Sequence, residues 1–587
     1  MQALFVLALT LAVFAALILT RHSPDRILLL ALAALAASGI ISHADLLSGF
    51  ANPGLATVAF LYVVAAGIRN TGGVSWVSSR VLGRPTNELG AQLRMMIPVT
   101  LLSGIMNNTP IVATLIPAIS TWSRQTGIAV SKLLIPLSYA AILGGTLTLI
   151  GTSTNLVTAG LYTSMTGDDS LGLFSITPIG LVVAACGLTY MWLVGRHLLP
   201  THQSVEDSFG DPREYSTEMS VIPDGGLVGK TIAQAGLRDI RGLGLYLVEI
   251  VRGDKVISAV SREERLQADD RLIFVGDTRG VLQLQEMLGL RAYSPDKVAL
   301  SESSPERKLV EVVLSPSSPI IGQTIGDADF RKRYGAVVIG VAREGRRIKG
   351  HIGGIRLQPA DTLLLETRPA FLSRQKYNRD FLLVTDTESH QINREGARRA
   401  GAIILAVILS AATGLTDIFT ASLVGAMAMV VTRCLSFNQA KSALDAQVLL
   451  TIACAMALGV ALRESGAASL IANAIFSVAG THPLSLLIAS YLMTLAVSEL
   501  ITNNAAAALA LPIVLGAAEA AGLAPQPFVL TVMVAASAAF ATPLGYQTNL
   551  MVYGPGGYRF ADFLKVGLPL NLICAVAGVS TIYALWF

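Results

Sequence analysis

Charge is scarce in this chain. Asp, Glu, Lys and Arg make up 14% of 587 positions, against about 25% in ordinary soluble proteins. With 52% hydrophobic residues and a mean hydropathy of +0.60, that scarcity excludes a wholly soluble protein and defines an integral membrane protein. Cysteine is nearly absent too. Cys186, Cys434, Cys454 and Cys574 all lie in apolar segments without paired spacing, which excludes a disulfide framework and a CxxC metal site. They read as small packing residues. The apolar run 1–20 lacks the basic n-region and small-x-small cleavage site of a secretory signal, so it reads as a retained span.

The few charges are unevenly spread. Residues 201–397 hold 27 of the 43 Lys and Arg and 28 of the 39 Asp and Glu, the mark of a soluble domain inserted into a membrane protein. Its near-balanced charge offers no basic surface for nucleic acid. The implied organisation is a first membrane half at 1–200, soluble domains at 205–297 and 298–390, and a second membrane half at 397–587.

A helix needs about 20 apolar residues to span a bilayer. Candidate spans fall near 2–20, 27–43, 54–69, 133–163 and 173–195, and again near 399–413, 417–433, 446–463, 528–550 and 566–586. Two further runs, 93–122 and 484–521, are too long for one helix and carry polar residues at their centres. They read as hairpins that enter and leave by one face.

Those central residues spell one message twice. Ser103, Asn107, Asn108 and Thr109, with Pro110 and Pro117 beyond, match Ser498, Thr502, Asn503 and Asn504, with Pro512 beyond. A second pair follows downstream. Thr148, Gly151, Thr154, Asn155 and Leu156 match Thr542, Gly545, Thr548, Asn549 and Leu550 in register. A hairpin tip or an unwound helix leaves backbone N–H and C=O groups unpaired, which is tolerable only inside protein or in a wet cavity. Carbonyls and Asn or Ser oxygens suit a small hard cation such as Na⁺, and helix N-termini attract an anion.

Loop charge sets orientation. Arg21, Arg26, Arg80, Arg84, Arg94, Arg124, Lys132 and Arg196 share one side if 93–122 is a hairpin. That side is cytoplasmic, as is the insert, and the loop at Asp168 and Asp169 is outside. Arg433, Lys441, Arg559 and Lys565 join the cytoplasmic set only if 484–521 dips from the opposite face. The halves are thus inverted repeats, the signature of a secondary transporter.

The tips at Asn108 and Thr109, and at Thr502 and Asn503, resemble the Ser-Asn-Thr tips of the divalent anion:sodium symporters, within the wider ion-transporter superfamily. Gly151, Thr152 and Asn155, and Ala541, Thr542, Pro543 and Asn549, resemble that family's unwound-helix motifs. The resemblance covers both membrane halves. It implies an α-helical polytopic membrane protein of inverted repeats, each with a re-entrant hairpin and an unwound helix, plus an inserted α+β cytoplasmic tandem. It further implies a homodimer in a bacterial-type inner membrane.

By position, Ser103, Asn107, Asn108 and Gly151 would form a first sodium site, and Ser498, Ile501, Asn503 and Ala541 a second. Asn108, Thr109, Asn503 and Asn504, with Thr152 and Thr542, would face a small divalent anion. Asn107 replaces the family's usual first Ser, and Asn504 its usual Thr, departures that weaken any carry-over of carboxylate specificity. The stretch 545–558 is similar to members linked to sulfate uptake, and no basic residue lies at either tip. Sulfate import with sodium is the expected activity. A dicarboxylate symporter, a cation/proton antiporter or metalloid-oxyanion exporter of the same superfamily, and a non-transporting sensor are the alternatives. Glu499 is the only acid in its hairpin arm, suited either to proton coupling or to a structural hydrogen bond.

The insert is itself duplicated. Leu227, Gly229, Thr231 and Ile232 recur as Ile320, Gly322, Thr324 and Ile325, and Asp270 recurs as Asp361. Each unit, 217–290 and 307–372, reads as a Gly turn into a short helix followed by β-rich runs. They resemble C-terminal domains of potassium-conductance regulators, which implies an unidentified regulatory ligand. Gly225, Gly229, Lys230 and Thr231 mimic a phosphate loop, but the glycines stand one residue too close and no strand is predicted before them.

Overall fold

The computed structural model describes residues 1–20, 24–72, 83, 85, 87–201, 216–237, 239–240, 245–253, 255–258, 260–261, 263–276, 290–292, 308–344, 346–348, 352–367, 371, 375, 378, 380–386, 394–471, 480 and 482–587. The expected borders at 205, 297, 298 and 390, and Arg21, Arg80 and Arg84, lie outside the described residues. The chain divides into two compact units. One comprises Met1–Thr201, His390–Val552 and Arg559–Phe587; the other comprises His202–Ser389 and Tyr553–Tyr558.

The first unit is helical. Its first half runs α1 (Gln2–Leu19), α2 (Pro24–Ser38), α3 (His43–Ser48), α4 (Pro53–Asn70), α5 (Glu88–Ser103), α6 (Asn108–Thr126), α7 (Leu134–Gly145), α8 (Ser153–Thr166) and α9 (Thr177–Tyr190). Among the described residues its second half repeats that order. It runs α10 (Arg394–Ala412), α11 (Ile418–Val431), α12 (Phe437–Ala443), α13 (Ala446–Glu464), α14 (Pro483–Leu500), α15 (Asn503–Ala520), α16 (Gln526–Ser537), α17 (Gln547–Tyr553) and α18 (Phe560–Trp586).

Local chemistry fixes many of these starts. Asn52, Asn87, Asp417 and Asp445 each accept a first-turn N–H of the helix that follows, the usual reason a helix begins where it does. Among the described residues, six helices are long and apolar enough to cross a membrane: His43–Asn70, Thr177–Leu198, Ala446–Glu464, Pro483–Leu500, Asn503–Ala520 and Phe560–Trp586. α6 and the stretch Val130–Gly145 are bent by 119° at a short break.

Several expected bounds shift. The span at 27–43 stops at Ser38, because Gly39 takes φ +64°, a left-handed turn that ends helices. The span at 399–413 begins earlier, at Arg394. The runs 133–163 and 528–550 are each two helices separated by non-helical backbone at 146–152 and 538–546. α3 and α12 were not expected, being too short to give a periodic signal. Side-chain caps announce both: Ser42 accepts the Asp45 N–H, and Ser436 forms a capping box with Gln439.

The halves also share several hydrogen bonds. Ser103 Oγ donates to the Ala141 carbonyl at 2.7 Å and Ser498 Oγ to that of Ala536 at 2.6 Å, each across 38 positions. Asn155 Nδ2 donates to the Gly145 and Thr148 carbonyls, and Asn549 Nδ2 to those of Ala539 and Thr542, in both cases 10 and 7 positions back. Each unwound segment is thereby braced by the Asn that follows it.

The second unit holds two antiparallel sheets. The first, ordered β2-β3-β5-β1-β6 with β4 on β3, uses Asp239–Ile240 (β2), Leu245–Arg252 (β3), Arg271–Gly276 (β5), Ser216–Val221 (β1), Leu290–Ala292 (β6) and Lys255–Ser258 (β4). The second is ordered β11-β7-β10-β8-β9, from Phe381–Asp386 (β11), Lys308–Leu314 (β7), Thr362–Thr367 (β10), Ala336–Arg343 (β8) and Arg346–Arg347 (β9). Reading β7 for β1, β8 for β3, β9 for β4, β10 for β5 and β11 for β6 makes the two orders coincide, except that β2 has no counterpart among the described strands of the second sheet.

Gly229 and Gly322 adopt φ +81° and +82°, and each donates its N–H to a distant Leu carbonyl at 2.8 Å. The expectation of a helix straight after the turn holds for Ile232–Ala235, whereas the second module turns first and forms its helix later, at Phe330–Tyr334. A strand, β1, does precede the phosphate-loop mimic. It pairs antiparallel with β5 and β6, unlike the parallel strand-loop-helix a phosphate loop needs.

Each module sets a buried aspartate against an arginine at the equivalent position. Arg252 Nε donates to Asp270 at 2.8 Å and Arg343 Nε to Asp361 at 2.7 Å, with both carboxylates fully buried. Burial pushes the Asp361 carboxyl above the usual carboxylate range, while Arg343 and the Gln358 N–H pull it back. Removing one member of such a pair costs on the order of 3 kcal/mol. Asp361→Ala is therefore expected to speed hydrogen exchange across β8 and β10 in the full-length protein, and unchanged protection there would contradict this role.

Candidate functional site

The site is built from two hairpin tips and two unwound segments. α5 ends at Ser103, residues 104–107 turn, and α6 starts at Asn108; α14 ends at Leu500 and α15 starts at Asn503. α6 and α15 therefore aim their N-terminal N–H groups from the tips, the arrangement that favours an anion.

At the first tip Ser103 and Asn108 are fully buried. Ser103 Oγ contacts Asn108 Oδ1, and Asn108 Nδ2 donates to the Tyr546 hydroxyl at 2.6 Å. Thr152 Oγ1 shares a 3.1 Å hydrogen bond with the same hydroxyl, and Thr109 Oγ1 donates to Gln547 Oε1 at 3.2 Å. Gly151 sits so close to the tip that a Cβ there would lie 2.9 Å from the Ser103 carbonyl and 2.7 Å from that of Gly145. The Ser103 and Gly145 carbonyl oxygens thus converge on Gly151, with Asn108 Oδ1 beside Gly145.

At the second tip Asn503 Nδ2 donates to Thr154 Oγ1 at 2.7 Å, and Asn504 Oδ1 accepts from Thr154 Oγ1 at 3.0 Å and Ser153 Oγ at 3.2 Å. Each tip therefore reaches into the other repeat. Ile501 is extended, with φ −128° and ψ −176°. Thr542 stands apart from this network. Its hydroxyl donates to the Glu499 carbonyl at 3.0 Å and accepts the Gly545 N–H at 3.0 Å. Asn107 makes no capping hydrogen bond and lines an apolar cavity with Tyr62, Met106, Ile150 and Ser153.

Glu499 is held by three donors. Its carboxylate accepts the Ala541 N–H at 2.9 Å, the Thr542 N–H at 3.0 Å and Asn571 Nδ2 at 2.7 Å. It fastens the second unwound segment, the structural alternative raised by the sequence, where the first repeat has Gly104. Glutamine would replace one acceptor oxygen by a donor and leave an N–H unpaired, at a cost of about 1–3 kcal/mol. Glu499→Gln should lower thermal stability in detergent accordingly, and a variant as stable as the parent would argue against this fastening.

Sequence reasoning missed Tyr546, Ser153 and Thr154. The register that aligned Gly151 with Gly545 already paired Thr152 with Tyr546, and that mismatch was the available signal.

Paired re-entrant tips facing paired broken helices define a membrane transporter. The chain belongs to the citrate transporter family, whose profile matches residues 14–416 and 403–587, and the divalent anion:sodium symporter resemblance fits that membership. A putative sulfur deprivation response regulator of Chlamydomonas reinhardtii is 37% identical, over 92% of this chain and 94% of that one. Sodium/sulfate cotransporter 1 of the same organism is 27% identical, over 93% and 85%. A sodium-dependent dicarboxylate transporter of Staphylococcus saprophyticus is 28% identical over 24% of this chain and 27% of its own length.

Proposed function

We propose that the protein is a sodium-coupled secondary transporter that imports a small divalent oxyanion, sulfate, by alternating access. The observation that carries this reading is the mutual reach of the tips: Asn108 bonds Tyr546 of the second repeat, while Asn503 and Asn504 bond Thr154 of the first. The groups that meet there are amides and hydroxyls, so an anion would be held by neutral donors and helix N-termini and released without breaking an ion pair. Sodium would sit at Ser103, Asn107, Asn108 and Gly151, and at Ser498, Ile501, Asn503 and Ala541. The anion would lie among Asn108, Thr109, Thr152, Asn503 and Asn504. Thr542, whose hydroxyl is engaged by Glu499 and Gly545, would support the second segment instead of touching the anion.

The tandem insert would be cytoplasmic, resembling regulatory domains of potassium-conductance regulators, and would tune transport or support a homodimer in an inner membrane. Joining residue 204 to 391 through a short linker is expected to leave a monodisperse membrane core by size exclusion. Aggregation of that variant would make the insert structural.

The deciding measurement is sodium-dependent uptake of labelled sulfate into proteoliposomes, with succinate as competitor. Uptake indifferent to Na⁺ would falsify the coupling. Two Na⁺ per divalent anion would move no net charge, whereas each further Na⁺ would gain about 2.3 kcal/mol per 100 mV of membrane potential. Uptake that rises with an inside-negative potential therefore points to at least three. The relative named as a sulfur deprivation response regulator favours one other reading, a sensor without flux, which the absence of uptake of any anion would support.

A further inference from the structure

The two repeats meet through equivalent residues at Thr152 and Tyr546. Thr152 follows Gly151 in the first unwound segment and Tyr546 follows Gly545 in the second, and their hydroxyls lie 3.1 Å apart. When a residue meets its own counterpart, the pseudo-two-fold axis passes between them. An anion site shared by both repeats belongs on that axis. Both side chains are buried, Thr152 at 1% exposure and Tyr546 at 5%.

The pair is unequal in size. Threonine is the smaller side chain, and the phenol crosses the axis to reach Asn108 at the first tip. At the second tip Asn503 bonds Thr154 and not Thr152. The Tyr546 hydroxyl also interacts with the Asn503 side chain, so the phenol stands between the two tips.

We propose that Tyr546 sets which anion the site accepts: its ring shortens the space between the tips to fit one compact tetrahedral dianion, and its hydroxyl binds that anion as an uncharged donor. A tetrahedral oxyanion gathers four oxygens around one centre and can be met by hydroxyls and amides converging on a point. A dicarboxylate carries its charges at the two ends of a carbon chain and needs length along the line that the ring occupies. This inference rests on the sulfate reading above.

Two variants separate donor from volume. Tyr546→Phe keeps the ring and removes the hydroxyl; Tyr546→Thr restores the residue of the first repeat and opens the space. In proteoliposomes the phenylalanine variant should raise the KM for sulfate about tenfold, the usual effect of losing a hydrogen bond to a charged group. Its KM for sulfate should rise by a larger factor than its half-activating Na⁺ concentration, a split that a merely structural role would not give. The threonine variant should let succinate compete with sulfate, which the wild-type protein should resist.

A phenylalanine variant with the wild-type KM, a threonine variant as indifferent to succinate as the wild type, or a wild type that succinate already inhibits overturns the proposal. Thermal denaturation of each variant identifies misfolding, and if the threonine variant fails to fold the phenylalanine KM decides. A wild-type protein that takes up no sulfate sinks the proposed function itself, and with it the substrate named here. Normal sulfate uptake with unaltered variants sinks the tyrosine assignment alone.

Discussion

Asn108→Ala and Asn503→Ala are each expected to abolish sodium-dependent anion uptake while leaving a folded protein. Asn108 is fully buried and joins three elements: its amide contacts Ser103 on its own hairpin and Tyr546 on the second unwound segment. Asn503 makes the reciprocal link to Thr154. Each buried hydrogen bond lost, with its partner left unsatisfied, costs about 1–3 kcal/mol. The tip would also lose an oxygen of its proposed sodium site, so the combined effect on transport should exceed about a hundredfold, since each 1.36 kcal/mol is tenfold in rate.

Folding should survive because the hairpin arms are held elsewhere. Ser103 and Ser498 still fasten to the Ala141 and Ala536 carbonyls, and Asn155 and Asn549 still brace the unwound segments. Initial uptake rates and thermal denaturation of the same preparations test both halves of the expectation. Wild-type flux in either variant would remove that asparagine from the site.

Gly567→Ala should abolish the folded protein itself. α18 passes the second unwound segment so closely that a Cβ at Gly567 would lie 2.1 Å from the Phe540 carbonyl oxygen and 2.8 Å from Ala541 Cα. Gly180 on α9 has the same relation to the first segment, with a Cβ 2.1 Å from the Thr146 carbonyl oxygen. These obstacles are backbone atoms, which cannot rotate away as a side-chain end can. The helix must back off, and overpacking of this kind costs about 1–3 kcal/mol or more. Each unwound segment would lose the wall that supports it.

Gly578→Ala, on the same helix, provides the control. Its nearest neighbour would be 3.4 Å away, an ordinary contact. The expected result is normal yield and uptake for Gly578→Ala, and loss of monodisperse protein for Gly567→Ala and Gly180→Ala. Equal behaviour of all three would contradict the close approach.

The parts legible in sequence were those where polar residues interrupt apolar runs. Asn107 and Asn108, and Thr502 to Asn504, fall where hydrophobicity alone would have continued a helix, so the tips announced themselves. So did the breaks at Gly151 and Gly545. The duplicated insert was legible because Gly229 and Gly322 must take positive φ and because Asp270 and Asp361 recur before similar strands.

What the sequence hid was the register between the halves. Nothing local says that Asn108 meets Tyr546, or that Asn504 meets Ser153 and Thr154, because those partners are hundreds of positions apart. The engagement of Thr542 by Glu499 was hidden for the same reason. Glu499 looked functional because a carboxylate in a membrane helix is costly, and its three donors became visible only when α18 and the unwound segment were brought against it.

The contact between Thr152 and Tyr546 also bears on how such a protein can evolve. In a symmetric dimer of half-length chains, a residue on the axis faces its own copy, and any substitution alters both sides together. With both halves in one polypeptide the two positions are free to differ. A threonine opposed to a tyrosine is a pairing that no such dimer can build, so the selectivity assigned to it requires two halves that can diverge from each other.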